Sequence, residues 1–128
     1  MNILAIFAAG IAAFMFGAVW YTVMAKPWMA AVGLTEETIN RSNPVPYITG
    51  LVACVVCAAM MNHIFTTSGV ETLAAGVGSG FGLGLFVAVP WLATNYGFAQ
   101  RPPALTVIDG AYSTGGCTVM GAVLALLS

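Results

Sequence analysis

The sequence predicts an all-α integral membrane protein with four transmembrane helices and a short interfacial helix in its first loop. Three observations predict it. Hydrophobic residues make up 60% of the 128-residue chain, where a soluble domain has about 45–50%. Charged residues make up 5%, three basic and four acidic, against about 25% in a soluble domain. The charges also leave long uncharged runs at 1–25, 42–70 and 72–100. Each exceeds the roughly 20 residues with which a helix crosses about 30 Å of hydrocarbon. A soluble globule of this size needs a charged shell that so few charges cannot supply. The mean hydropathy of +0.97 excludes a disordered chain, which requires low hydrophobicity and high charge. A net charge of −1 leaves no basic footprint for nucleic acid. The lipid bilayer is the expected surrounding.

The first helix is expected at about 3–24. Val23-Met24-Ala25 loosely suits a leader-cleavage site, but there is no basic segment ahead of the apolar run. That run also exceeds the usual 7–15 residues, and the bulky Trp20-Tyr21 pair sits close to the cut. The segment therefore reads as a retained helix. In loop one, Gly33-Leu34-Thr35-Glu36-Glu37 reads as a stop followed by the start of the short helix. Thr35 would cap free N–H groups there, and the glutamates would suit the positive end of the dipole. Asn43, Pro44 and Pro46 then break it before a second span at about 46–66. A third span follows at about 73–98, and Pro90 should kink it. That kink reads either as a packing feature or as a gating hinge. The fourth span, about 104–127, is apolar except for Asp109 near its start. These spans use most of the chain, so 1–128 is expected to form a single four-helix domain.

Four spans place loops one and three on one side. Lys26, Arg41 and Arg101 all fall there, whereas loop two carries only Glu71. An excess of basic residues marks cytoplasmic loops, so both termini are expected outside. Trp20, Tyr21, Trp28 and Tyr47 lie near the same boundary, where amphipathic rings are favoured.

Helices in lipid associate by close backbone approach, because lipid tails are as apolar as leucine. Gly76, Gly80 and Gly84 form one smooth ridge on the third helix. Gly78 and Gly82 form another, about 200° away at about 100° per residue. A helix smooth on two sides can hold two neighbours, so the third is expected at the centre. Matching small residues are Ala9, Ala13 and Gly17 in the first helix, and Gly50, Cys54 and Ala58 in the second. The fourth carries Gly110, Gly115, Gly116 and Gly121. Such a surplus points to self-association or to a partner subunit.

Few residues here suit chemistry. Cys54-x-x-Cys57 lies mid-span without the βαβ context of a redox motif, and Cys117 has no obvious partner, so all three read as small packing residues. His63, Cys57 and Glu71 have no metal-ligand spacing, so neither a metal nor a cofactor is expected. No catalytic set is visible, and the chain reads as a non-enzyme. Asp109 is the outstanding residue, because an ionisable group inside a span is costly and marks a function or a buried partner. Tyr112 stands at i+3 on its face, and Asn95 and Tyr96 end the third helix at the same level. The expected polar cluster is Trp20, Tyr21, Lys26, Trp28, Asn95, Arg101, Asp109 and Tyr112. It reads either as an ion pair of Asp109 with Lys26 or Arg101 that fixes the fourth helix, or as a small-molecule or headgroup site.

The same residues carry a family resemblance. Gly17-Ala18-Val19-Trp20-Tyr21, Lys26-Pro27-Trp28-Met29 and Gly33-Leu34-Thr35-Glu36-Glu37 resemble the N-terminal half of the domain of unknown function 1761 family. Asn95 to Arg101, Ile108-Asp109-Gly110-Ala111-Tyr112 and Met120-Gly121 resemble its closing motif. The match departs between Tyr21 and Lys26, where the family usually has a proline and a Phe-Gly. The resemblance implies a small bacterial four-helix membrane protein and assigns it no activity; with loops one and three cytoplasmic, the bacterial inner membrane is the expected location.

The leading functional expectation is thus a non-enzymatic membrane protein acting by helix association. It would be a homo-oligomer or an accessory subunit of a larger complex, such as a respiratory or photosynthetic one. The alternative is a small-solute or ion transporter or channel using Asp109 and the Pro90 kink. A lipid-active enzyme would need a second acid or histidine beside Asp109.

Overall fold

The computed structural model describes residues 2–128. Its helices are α1 (Ile3–Val23), α2 (Ala25–Val32), α3 (Val45–Ser68), α4 (Leu73–Leu83), α5 (Val89–Phe98) and α6 (Pro103–Leu127). A single π turn, Gly84–Ala88, joins α4 to α5. The run Leu73–Phe98 therefore counts as one span, and among the described residues four helices are long and apolar enough to cross a membrane.

The helix ends follow from local chemistry. The Asn2 side chain accepts the Ala5 N–H at 3.0 Å and Thr72 Oγ1 accepts that of Ala75 at 3.1 Å, satisfying donors that the first turn leaves free. Pro46 and Pro103 sit in first turns, where a missing N–H costs nothing. Gly33 and Gly69 close α2 and α3 at φ of 82° and 72°, a left-handed conformation that side chains with a Cβ resist.

The short helix of loop one lies ahead of Gly33, as α2, and not after Thr35. Thr35 makes only an isolated turn, in which its carbonyl accepts the N–H groups of Thr38 and Ile39. The Thr38 hydroxyl takes the Thr35 N–H at 2.8 Å, so Thr35 is not a cap. Asn40, Ser42 and Asn43 then hold the chain in local side-chain turns, and nothing rewards extending a helix through them.

The four spans pack in the order α3, α1, α6, then α4 with α5. The third span is therefore peripheral and not central, and it rests on α6. Its first glycine ridge is used for this. A Cβ at Gly76 would stand 2.6 Å from the Gly121 carbonyl oxygen, and one at Gly84 would stand 2.6 Å from Cα of Thr114. Gly80 likewise lies against the Cys117 carbonyl. The backbones of α4 and α6 touch, which is how helices gain dispersion contacts without a hydrophobic drive. The second ridge has nothing within 4 Å of either Gly78 or Gly82. The small residues of the other spans are mostly consumed internally: Ala9, Ala13, Gly17, Cys54, Ala58, Gly110, Gly116 and Gly121 are all buried. Large apolar side chains such as Leu4, Val19, Val56 and Phe86 face outward, as a lipid-facing surface requires.

Candidate functional site

α1 ends and α6 begins at the same level, so the last turns of one lie beside the first turns of the other. Two aromatic rings lock this pair through exchanged glycine seats. The Tyr112 ring of α6 lies on Gly17 of α1, where a Cβ would come within 2.6 Å of Cε1. The Phe16 ring of α1 lies on Gly115 of α6, where a Cβ would come within 2.5 Å of Cζ. Phe16 in turn stacks with Trp20 and Tyr112, at centroid distances of 6.5 and 6.3 Å. Trp20 Nε1–H donates to the Ile108 carbonyl at 3.0 Å, using its second lone pair.

Within this frame Asp109 is clasped by two phenols. Tyr21 from α1 donates to Oδ1 at 2.5 Å, and Tyr96 from α5 donates to Oδ2 at 2.5 Å. Tyr21 is held edge-on to Trp28 of α2 at 6.1 Å and to Tyr112 at 5.3 Å. The Tyr112 hydroxyl lies 3.4 Å from Cys54 Sγ, which links the cluster to α3. Among the described residues, no buried side-chain N or O atom lacks a partner. One carboxyl group thus ties α1, α5 and α6 together, and the rings around it reach α2 and α3.

Of the eight residues expected in this cluster, Trp20, Tyr21, Trp28, Asp109 and Tyr112 meet. Lys26, Asn95 and Arg101 make no bond to Asp109. Lys26 and Asn95 are exposed, and Arg101 donates to the Val32 carbonyl at the end of α2, at 3.4 Å. The expected ion pair with Asp109 is absent. The one salt bridge among the described residues is Arg41 to Glu36 at 3.1 Å. Phenolic donors replace the cation because Tyr21 and Tyr96 lie on faces turned toward Asp109, whereas the basic side chains sit in the loops beyond.

Tyr96 takes the place expected for Asn95, and the π turn is the reason. At about 100° per residue, Asn95 would lie only about 20° from the Gly84 face, and Tyr96 about 120° from it. A π turn absorbs one extra residue. The face of Gly76, Gly80 and Gly84 therefore continues through Val89, whose side chain packs on Gly110, and on to Tyr96. Phe16 and Cys54 were also missed. The spacing of Phe16 from Trp20, one turn apart on a face with Gly17 adjacent, could have signalled the first.

These features define a class: an all-helical protein whose four long apolar helices are joined near one end by a tyrosine-clasped carboxyl group. The chain belongs to the family described as protein of unknown function (DUF1761), whose model matches residues 4–125. No curated protein and no solved structure matches it in the comparisons made.

Proposed function

We propose that the protein is a non-enzymatic membrane component that works by helix association, as a homo-oligomer or as an accessory subunit of a larger complex. The observation that carries this reading is the self-sufficiency of the Asp109 cluster. Both carboxyl oxygens are occupied by hydroxyls of the same chain, so the costliest polar group in the spans serves as an internal tie. Two hollows among the described residues lie away from it, one between α1 and α3 and one near Asn62 and Ser128. The open ridge of Gly78 and Gly82 on the peripheral span then supplies a smooth surface for another helix. In this reading the protein sits in a bacterial inner membrane with loops one and three in the cytoplasm.

Purification from native membranes in mild detergent, with native mass spectrometry, tests the proposal. A dimer or a stable heteromer is expected, and Gly78→Leu with Gly82→Leu should dissociate it while leaving the fold intact. A strict monomer, or an assembly indifferent to both substitutions, would move the weight to the transport reading. That reading is favoured by one observation, the π turn that ends two residues before Pro90.

A further inference from the structure

We propose that α5 is a hinged latch: it swings about the Gly84–Ala88 turn, and the Tyr96–Asp109 hydrogen bond is the catch that holds it closed. The two halves of the third span are fastened in different ways. α4 is held by backbone contact, with Gly76 and Gly80 seated against Gly121 and Cys117 of α6. α5 buries none of its residues. Among the described residues, Tyr96 makes the only side-chain hydrogen bond from Leu73–Phe98 to another element. Between the halves lies the π turn, and Pro90 follows it with no N–H to offer the preceding turn. A wide turn, a missing donor and a loosely packed far half are the parts of a hinge.

The two bonds to Asp109 are therefore unequal. Tyr21 belongs to the α1–α6 frame, braced by Trp20, Phe16 and the two glycine seats, and it does not leave without unpacking them. Tyr96 leaves by rotation of α5 alone. Opening uncovers Oδ2 on the side of α6 that α5 had covered, and it creates a lateral gap at the loop end of the molecule. Tyr21 keeps Oδ1 occupied throughout. This device stands apart from the association reading, since it uses the face of the third span toward α6 and not the open ridge.

Spin-label distance measurements on the full chain in nanodiscs test the latch, with Cys54→Ser, Cys57→Ala and Cys117→Ala removing the native thiols. One pair joins Val23→Cys on α1 to Ala93→Cys on α5, and the reference pair joins Val23→Cys to Phe81→Cys on α4. The α5 pair is expected to show a broader distribution than the α4 pair before any further change. Tyr96→Phe should raise the long-distance population of the α5 pair on the order of tenfold, the loss expected for one hydrogen bond to a carboxyl group. The α4 pair should stay unchanged, and so should the α5 pair in Tyr21→Phe. Equal widths for the two pairs would overturn the latch even if Tyr96→Phe failed to fold. An α5 pair indifferent to Tyr96→Phe, or both pairs moving together, would also overturn it.

Discussion

The ring of Tyr112 rests on Gly17, across the interface of α1 and α6. A Cβ on that glycine would stand 2.6 Å from Cε1, so the ring has no room to accept one. The contact carries the hydroxyl to within 3.4 Å of Cys54 and sets the ring edge-on to Tyr21. Tyr112 cannot retreat without giving up both. Gly17→Ala is therefore expected to cost about 1–3 kcal/mol, the range for overpacking a filled interior. Reversible unfolding in mixed micelles, followed by tryptophan fluorescence, measures it. A variant as stable as the parent would mean that the ring shifts freely.

The two ridges of α4 predict opposite behaviour for one substitution. Alanine at Gly80 meets the Cys117 carbonyl, and alanine at Gly121 meets the carbonyl of Gly76. Both contacts are backbone, which cannot rotate away, so each variant should lose about 2 kcal/mol or more. Alanine at Gly78 or Gly82 meets nothing within 4 Å and should be neutral or raise stability by up to about 1 kcal/mol through helix propensity. The same unfolding assay separates the pairs.

Replacing Asp109 tests the clasp. Leucine leaves two phenols without an acceptor in partly buried surroundings, at about 1–3 kcal/mol for each group left unmade. Asparagine should cost less, about 1 kcal/mol, because one amide oxygen still accepts and the phenol oxygen of the other tyrosine can accept from the amide. The expected order of stability is parent, Asp109→Asn, Asp109→Leu. An Asp109→Leu variant with unchanged stability and assembly would remove the carboxyl group from any structural role.

The π turn makes a prediction that does not depend on the absolute stability of any variant. Deleting Val87, an exposed residue within the turn, should restore plain α-helical winding. Tyr96 would then stand eleven residues after Gly84, about 20° from its face at about 100° per residue, and so keep its place beside Asp109. A double-mutant cycle between Tyr96→Phe and Asp109→Asn should give a coupling of about 0.5–3 kcal/mol in the parent and a similar one in the deletion. Loss of the coupling in the deletion would show that the turn does more than absorb one residue.

Much of this arrangement could be read from residues alone, for reasons that differ along the chain. Spans are legible because a bilayer demands an uninterrupted apolar length, and the runs between Lys26, Arg41, Glu71 and Arg101 supply it. Asp109 stood out for the same reason, as the one charge that interrupts a span. The position of the short loop helix was misplaced because a threonine followed by two glutamates fits a helix start equally well as a tight turn. Competing bonds from Thr38 decided between them, and they are local details below the resolution of a pattern.

What only the tertiary structure decided is which surfaces meet. A glycine ridge states that a helix can be approached closely, and it does not name the partner. Both ridges of α4 looked equivalent, yet one is filled by α6 and the other by nothing. The partners of Asp109 were open in the same way, with cations and phenols both at its level. The extra residue in the π turn brought Tyr96 round to the carboxyl group. By itself the sequence determined the medium, the number of spans and the residue around which the loop end is built. Long-range packing chose the partners, because close approach and hydrogen bonding depend on angles that a periodic pattern carries only while the helix winding stays regular.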